Sequence, residues 1–549
     1  MNRWLLSTMG FLITLLLISA PCKAPIVGNG ISQSSEGTDS GFLRVNGNSL
    51  TLNGTDFRVV GANHVDLIWS FMNDYGENGT KVIEDAARCG IKALRFSATA
   101  VSKDIVEKWY TNNSTFWNRY DKMVETASSN GVYLIPVLVW TYNDTRDNIT
   151  NPGNGLFEPF HNFSRYLPEF PLSDKYDKSH IFITNSFVNN RSKEFISEMV
   201  TKYNENKTIL MWEIGNELNL VTGRPDTENY FPTTKDLQNY MQDICSLIWK
   251  LDKNHPVESG MQAPNFHDQG TTLEEAASNN FTQFNDFVNV TSIHIYRNQT
   301  KDYNVTAKDF ITAFLNSSKD NLNKPMIIGE FGETRDENEN APDNSSFIPS
   351  VLETTLRFDI PMSLIWEWEV PDQGVPDPIP IGGDRPGWNI DPVKTPHIVE
   401  MLKIYSMLAN APSKERYDVA KAGKTLSILI HSNSTITSFN YSEALGQIAF
   451  NITGPTGSNG FCRVAIRNPI LQDVLHGNCT VLLDGVALNE NATKNWTVQD
   501  FDDTFIFFNY THSEHRITIV PEFPSFFVLT QFLAAILLAF TIYKKKRTR

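Results

Sequence analysis

The sequence predicts an α/β protein: a (β/α)8 TIM barrel, then a small all-β sandwich domain, then a C-terminal transmembrane helix. Between about residues 43 and 410, short apolar runs alternate with segments of helical periodicity, which is typical of βα units around a parallel sheet. From 415 to 520, short strand-like runs are separated by turn signals. Residues 525–543 form an uncharged and mostly apolar stretch.

Eight short apolar runs are the predicted barrel strands. They are 58–62, 93–96, 133–139, 209–214, 257–259, 288–295, 326–331 and 363–366. The segments between them place apolar side chains three and four residues apart, as in 237–248, which gives a helix one apolar face. Eight such units indicate a closed barrel. A doubly wound open sheet is the alternative, but it would usually carry a GxGxxG turn after its first strand, and none is present there.

Seven strand-like runs predict the sandwich. They are 427–430, 436–440, 447–453, 462–466, 480–484, 505–510 and 515–519. Because no catalytic cluster is recognisable among them, a spacer between barrel and membrane is the simpler interpretation, and a carbohydrate-binding module is the alternative. Cys462 and Cys479 both lie in this region, and a disulfide between them is compatible with an exported chain.

The first residues have the features of a secretory signal. Arg3 supplies the positive start and an apolar run follows, so residues 1–24 are a predicted signal peptide that is cleaved after Ala24. Residues 25–42 are rich in glycine and serine, which predicts a flexible lead-in. On an exported chain the Asn-x-Ser/Thr sequons, such as the one at Asn53, are candidate glycosylation sites.

The last residues predict an anchor. The apolar stretch 525–543 is long enough to cross a bilayer, and the basic residues 544–549 that follow would remain in the cytoplasm. Pro521-Glu522-Phe523-Pro524, placed directly before this stretch, resembles the PEF-type C-terminal sorting signals of archaeal surface proteins. We therefore expect a secreted protein with its catalytic domain outside, held at the membrane through segment 521–549 by the helix or by an anchor derived from sorting.

Composition excludes several classes of protein. The 549 residues contain 47 Lys+Arg and 62 Asp+Glu, for a formal net charge of −15, so nucleic acid is not an expected partner. The 5 cysteines show no CxxC spacing, which argues against a structural zinc site. Nothing in the composition indicates the oligomeric state.

Barrel enzymes place their active sites at the C-terminal ends of the strands, so the polar residues there are the candidate site. Asn216 and Glu217 end the fourth predicted strand, and Glu330 ends the seventh. A retaining glycosidase needs two carboxylates about 5–5.5 Å apart, one as the nucleophile and one as the acid. The other candidates, which end the remaining strands, are Asn63, His64, Arg95, Trp140, His294, Tyr296 and Trp366.

These residues resemble glycoside hydrolase family 5 in their order and spacing over about residues 43–408. The matching segments are Trp212-Glu-Ile-Gly-Asn-Glu217, Ile328-Gly-Glu330-Phe-Gly, His294-Ile-Tyr296, Arg95 and Trp366. Segment 182–218 is most similar to the β-mannanase branch. The long third loop, 142–182, departs from the family pattern.

The resemblance implies that Glu330 is the nucleophile and Glu217 the acid/base. We expect Arg95 and a hydrogen bond from Tyr296 to keep Glu330 ionised, while Glu217 holds a proton because two nearby carboxylates resist sharing charge. We expect His294 to tune Glu217 or to bind a hydroxyl group. No metal or organic cofactor is implied.

The remaining residues would bind the sugar. Asn216 can donate to the 2-hydroxyl, and Trp366 and Trp140 can offer flat apolar faces to the ring. Glu213 and Glu333 are competing carboxylates that rank lower, because Glu213 lies inside the apolar run and Glu333 lies beyond its strand.

The predicted function is therefore a retaining β-glycoside hydrolase that acts on an extracellular β-linked polysaccharide or oligosaccharide of the mannan or glucan type. One alternative is a non-catalytic carbohydrate-binding protein or adhesin on a glycosidase scaffold. Another is an exo-acting β-mannosidase or β-glucosidase. The sequence alone does not discriminate between endo and exo action.

Overall fold

The computed structural model describes most of the chain between residues 41 and 522. The described ranges are 41–72, 76–99, 103–140, 187–221, 233–263, 272–333, 346–368, 390, 392–421, 423–475, 477–489, 492–498 and 500–522. The predicted signal peptide and the predicted membrane stretch 525–543 lie outside them. Within the described ranges, no helix is both long and apolar enough to span a bilayer.

Eight parallel strands form the barrel, preceded by a small antiparallel sheet. The small sheet contains β1 (Leu43–Asn46), β2 (Ser49–Leu52) and β3 (Thr55–Asp56). The barrel strands are β4 (Val59–Asn63), β5 (Ala93–Ser97), β6 (Tyr133–Trp140), β7 (Trp212–Asn216), β8 (Val257–Glu258), β9 (Thr291–Tyr296), β10 (Met326–Gly332) and β11 (Met362–Ile365).

The barrel sheet runs in the order β8-β7-β6-β5-β4-β11-β10-β9. Single bridges, from Glu258 to Val290 and from Gln262 to His294, bring its two edge strands together, so the barrel is nearly closed. The predicted (β/α)8 barrel is confirmed. Leu43 and Leu50 of the small sheet pack against the buried apolar residues of the barrel strands, which leaves the opposite end for polar chemistry.

Helices follow the strands on the outside of the barrel. They are α1 (Leu67–Met72), α2 (Gly76–Arg88), α3 (Lys103–Thr111), α4 (Asn113–Ser129), α5 (Phe187–Tyr203), α6 (Thr234–Leu251), α7 (Leu273–Glu275), α8 (Phe281–Asn285), α9 (Arg297–Asp302), α10 (Ala307–Ser317), α11 (Phe347–Arg357) and α12 (Pro396–Ala409). A 3₁₀ turn lies at Leu218–Val221, and π turns lie at Ala276–Asn280 and Ser318–Leu322.

Helix α6 shows how the sequence specifies these elements. Thr233 and Asp236 form a capping box that satisfies backbone N–H groups at the helix start. The apolar positions three and four residues apart that predicted this helix are buried. Packing of that face against the barrel stabilises the helix more than its intrinsic propensity does.

The C-terminal region contains two five-stranded antiparallel sheets. Its strands are β12 (Ser413–Lys421), β13 (Lys424–Ser432), β14 (Thr435–Ser442), β15 (Gln447–Thr453), β16 (Asn459–Arg467), β17 (Cys479–Leu483), β18 (Val486–Ala487), β19 (Thr493–Thr497), β20 (Asp503–Thr511) and β21 (Glu514–Pro521), with helix α13 at Asn468–Val474. The sheet orders are β12-β13-β16-β20-β19 and β14-β15-β21-β17-β18. Cys462 and Cys479 lie in different sheets and both are free, so the disulfide that the sequence allowed is not formed.

The sheets pack closely against the barrel. Phe507 of β20 belongs to the same hydrophobic cluster as the barrel core. Beside it, Arg463 of β16 donates to Glu353 of α11, and the hydroxyl of Tyr405 of α12 donates to the same carboxylate at 3.0 Å. The contact therefore combines apolar packing with a buried ion pair.

Candidate active site

The side chain of Arg95 lies where the ends of several barrel strands converge. It projects from β5 and is 1% exposed. Its Nη1 donates to Glu330 Oε1 and to Asn63 Oδ1, each at 2.7 Å, and its Nη2 donates to Asn216 Oδ1 at 2.6 Å. One guanidinium group thus connects residues of β4, β7 and β10.

Glu213 is the bidentate partner of the same guanidinium. Arg95 donates to its two oxygens through Nε and Nη2, both at 2.5 Å. Burial opposes ionisation of Glu213, but the ion pair with Arg95 holds its pKa below the ordinary value. The sequence interpretation placed Glu213 low among the carboxylates because it lies inside the strand. Its inward direction makes it the principal ion-pair partner of Arg95.

Two carboxylates and a histidine form the centre of the site. His294 Nδ1 is 3.0 Å from Glu217 Oε1 and 3.4 Å from Glu330 Oε1, and the three polar atoms of this cluster lie within 4.8 Å of one another. Tyr296 donates its hydroxyl hydrogen to Glu330 Oε2. His294 and Tyr296 reach the same cluster because residues two apart on a strand point to the same side.

Burial dominates the protonation equilibria of this cluster. It raises the pKa of Glu330, as does the neighbouring Glu217, although His294, Arg95 and Tyr296 act in the opposite direction. Arg95 and Tyr296 act in the expected direction, but burial and Glu217 oppose them. Burial also lowers the pKa of His294 to about 4, so its ring is neutral at pH 7. A neutral imidazole carries only one N–H group to share between the carboxylates.

The backbone around Glu217 adopts a conformation that non-glycine residues rarely populate. Its φ is +49°, in the left-handed region, and its N–H donates to Gly260 O at 2.7 Å. Gly260 has a φ of +69°, and a Cβ there would lie 2.2 Å from Gly215 O. Only glycine therefore allows the two strand exits to approach this closely.

The two predicted aromatic platforms differ. Trp140 is 1% exposed, and its ring lies 5.1 Å from the Arg95 guanidinium carbon. It stacks on Arg95 as a cation–π partner rather than presenting an open face. Trp366 is only partly buried, and its ring lies 6.2 Å from that of Trp140 at an angle of 38°.

Two candidates contact other groups. His64 Nδ1 lies 2.6 Å from Trp368 O, and its Nε2 lies 3.3 Å from Asp66. No contact in the described part of the chain joins His64 to either central carboxylate. Glu333, the other competing carboxylate, pairs with the half-exposed Arg297.

One buried carboxyl escaped the sequence interpretation. Glu258 of β8 is completely buried and lies beside Glu213 in the parallel register. The available signal was an acidic residue inside the short predicted strand 257–259.

The central cluster could also offer ligands to a metal ion. Glu217, His294 and Glu330 each supply one ligand atom within the 4.8 Å span. However, Arg95 already places a positive charge 2.7 Å from Glu330 Oε1, and this charge would repel a cation. The absence of a metal cofactor remains a prediction.

The chain is similar to known glycosyl hydrolases. Residues 50–368 match the cellulase family, glycosyl hydrolase family 5. A mannan endo-1,4-beta-mannosidase 5 of Solanum lycopersicum is 23% identical over 389 residues, 65% of this chain and 87% of that protein. A mannan endo-1,4-beta-mannosidase 7 of Arabidopsis thaliana is 22% identical over 323 residues, 54% of this chain and 70% of that protein.

Among solved structures, the endo-1,4-beta-mannanase of Rhizomucor miehei is similar with a TM-score of 0.49 and 18% identity, covering 67% of this chain and 99% of its own. The family match extends over more than half of the chain and includes every barrel strand. The chain therefore belongs to glycosyl hydrolase family 5 and is a glycosidase.

Proposed function

We propose that this protein is a retaining β-glycosidase that hydrolyses an extracellular β-1,4-mannan or a related oligosaccharide. The observation that carries the proposal is the pair Glu217 and Glu330, whose reactive oxygens lie within 4.8 Å of each other beside His294. That short separation supports double displacement, because an inverting enzyme holds its carboxyls about 6.5–9.5 Å apart to admit water. Similarity to the plant mannan endo-1,4-beta-mannosidases supports mannan as the substrate class.

In the first step, Glu330 attacks the anomeric carbon of the sugar and Glu217 gives its proton to the departing glycosidic oxygen. The bond from carbon to the leaving oxygen breaks, and an ester between the sugar and Glu330 forms. Arg95 and Tyr296 each hold one oxygen of Glu330, which orients the carboxylate for attack. The neutral imidazole of His294 lies between the two carboxylates without adding a charge.

In the second step, Glu217 acts as a base. It removes a proton from water, the water oxygen attacks the anomeric carbon, and Glu330 leaves as a carboxylate. Two inversions return the β configuration. Asn216, whose Oδ1 accepts from Arg95, would donate through its amide nitrogen to the sugar 2-hydroxyl, and Trp366 would stack on the ring.

The first test is a hydrolysis screen of the full chain on mannan, glucomannan, cellulose and aryl β-glycosides. We expect reducing ends from mannan and glucomannan, and proton NMR of the fresh product should show the β anomer first. Release of the α anomer first would contradict the retaining mechanism. Binding to mannan without release of product from any substrate would favour the carbohydrate-binding alternative.

Azide separates the roles of the two carboxylates. In Glu217→Ala, an aryl glycoside with an acidic leaving group can still form the ester, and azide should release a β-glycosyl azide after two inversions. In Glu330→Ala, azide can occupy the space left by the missing carboxylate and should give an α-glycosyl azide after one inversion. Exchanged anomers would mean exchanged roles.

We also propose that the enzyme is exported and held at the cell surface, with segment 521–549 as the anchor. The support is the composition of the two ends of the chain. Removing residues 521–549 should release active enzyme into the medium. Folded truncated protein that remains with the cells would contradict the anchor.

A further inference from the structure

Glu258 is a buried carboxyl group that the proposed reaction does not use. It is 0% exposed, and its Oε2 accepts a hydrogen bond from the backbone N–H of Gly260 at 2.8 Å. In the parallel pairing of β7 and β8, Glu258 lies opposite Glu213. Two acidic side chains on neighbouring strands therefore meet inside the barrel.

The two acidic groups cannot both be ionised at low cost. Burial, and next the charge of Glu213, raise the pKa of Glu258 well above its ordinary range, although Arg95 opposes this. The protonated form of Glu258 is therefore favoured. A protonated carboxyl has one O–H donor as well as acceptor oxygens, so it could donate toward Glu213, which lies opposite, while its Oε2 accepts from Gly260.

We propose that Glu258 is a positioning residue of the glycosidase site, which rests on the proposed function. Its carboxyl group links two parts of the site. One is the backbone contact that holds the acid/base Glu217, and the other is the ion pair that orients the nucleophile Glu330. The first connection is a chain of hydrogen bonds, and the second begins with the paired positions of Glu258 and Glu213 on neighbouring strands.

The first connection leads to Glu217. Glu258 holds the N–H of Gly260, and the carbonyl of Gly260 accepts the N–H of Glu217 at 2.7 Å. Glu217 has a left-handed backbone at φ +49°, and such a conformation persists only where its surroundings enforce it. If the N–H of Gly260 is no longer held, Glu217 should therefore be displaced more than any other group of the site.

The second connection leads to Glu330. Glu258 faces Glu213, which holds Arg95 in a bidentate pair, and Arg95 donates to Glu330 at 2.7 Å. This path passes through two rigid side-chain contacts. Because Glu213 keeps its bidentate pair without Glu258, we expect the second connection to be the less sensitive one.

The test compares two aryl β-mannobiosides, one with phenol and one with 2,4-dinitrophenol as the leaving group. Departure of phenol needs a well-placed acid, whereas departure of dinitrophenol needs little protonation. Glu258→Leu removes the hydrogen bond from Gly260 and the carboxyl group that faces Glu213, and Glu258→Gln keeps one donor and one acceptor. Glu353→Leu is the matched control, because it removes an equally buried carboxyl far from the site.

At a temperature where circular dichroism shows every variant folded, Glu258→Leu should lower kcat/KM about 10-fold or more on the phenyl substrate and much less on the dinitrophenyl substrate. Glu258→Gln should keep the wild-type ratio of the two values. In Glu353→Leu, both values should change by the same factor. An equal loss on both substrates in Glu258→Leu would overturn the positioning role, and failure of Glu258→Gln to retain the ratio would overturn the neutral-carboxyl arrangement.

Amide hydrogen exchange gives a second readout that is independent of activity. The peptide that contains the Glu217 amide should exchange faster in Glu258→Leu than in wild type, Glu258→Gln or Glu353→Leu. Unchanged exchange in Glu258→Leu would overturn the first connection. A wild-type enzyme inactive on every mannoside would refute the proposed function, while the exchange data would still decide whether Glu258 holds this backbone.

Discussion

Two completely buried arginines organise two different regions of this molecule. Arg463, at the contact between barrel and sandwich, donates to Glu353, which also accepts from Arg357 at 3.2 Å. Arg357 in turn donates to Asp503 at 2.8 Å, and Arg467 lies 3.6 Å from the same carboxylate, so three cations there face two carboxylates. Arg95, at the mouth of the barrel, pairs with two buried carboxyl groups, those of Glu213 and Glu330, and two more, those of Glu217 and Glu258, lie beside this pair.

The difference in charge balance explains the difference in chemistry. Where the cations are at least as many as the carboxylates, each carboxylate has a cationic partner, and removing one partner of a buried pair is costly. At the mouth, one guanidinium group cannot neutralise four carboxyls. The pKa values of Glu330 and Glu258 rise because burial and a carboxylate neighbour oppose ionisation. Raised pKa values in a cluster of carboxyl groups are typical of catalytic sites.

The largest effect should come from Glu330→Gln. Loss of the nucleophile should lower kcat on mannan by about 10⁴-fold or more. The variant should not be less stable than the wild type. A carboxyl group whose pKa is raised by folding destabilises the native state at pH values above its ordinary pKa, whereas glutamine carries no charge. Kinetics and thermal unfolding at pH 7 measure both. A clear fall in the melting temperature of Glu330→Gln would contradict the interpretation that buried carboxyl groups at the barrel mouth outnumber the cations that pair with them.

The opposite pattern is expected for Glu353→Leu. Removing this carboxylate leaves Arg463 buried without its anionic partner, which should reduce the free energy of unfolding by about 3–5 kcal/mol. Turnover per folded molecule should not change, since Glu353 lies outside the site. Urea unfolding, together with activity corrected for the folded fraction, measures the two quantities. A loss below 1 kcal/mol would show that the balanced ion pair is not what stabilises the contact.

A third variant, Arg95→Ala, concerns the counter-ion at the mouth. Activity requires ionised Glu330, so the acidic limb of kcat/KM against pH follows the pKa of that group. Burial raises this pKa and Arg95 opposes the rise, so removal of Arg95 should shift the limb upward by about 1–3 pH units. Arg297→Ala is the control, because Arg297 pairs with Glu333 instead. An acidic limb that moves equally in both variants would exclude a specific role for Arg95.

The positions of the strands and of the strand-end carboxyls follow from local pattern. Most barrel strands are short apolar runs, and Glu330 is visible as the first polar residue of its run, whereas Glu217 stands at the end of its strand after Glu213 and Asn216. The charged strand β12 was missed because exposed lysine, glutamate and arginine side chains follow one another in its first half, so it shows little apolar alternation.

Contacts that depend on the direction of a side chain or on strand register could not be predicted from the local sequence pattern. Whether Trp140 shows a face to the sugar or lies on Arg95 depends on the rotation of one side chain in three dimensions. Likewise, the pairing of Glu213 with Glu258 depends on the register of β7 against β8, which their sequences leave open. The missed residues are those whose partners come from another strand.

The smallest effect should come from Tyr296→Phe, which removes one neutral donor and no charge from the mouth. Its hydroxyl donates to Glu330 Oε2, and among the groups that lower the pKa of Glu330 it contributes less than Arg95. A hydrogen bond to a charged group contributes about 1.5–3 kcal/mol, so the acidic limb should rise by about 1–2 units, and by less than in Arg95→Ala. Because Glu330 is ionised in both enzymes well above its pKa, the effect on activity should appear at low pH and fade as pH rises. If Tyr296→Phe shifts the limb as far as Arg95→Ala does, local hydrogen bonding rather than the scarcity of cations controls the nucleophile.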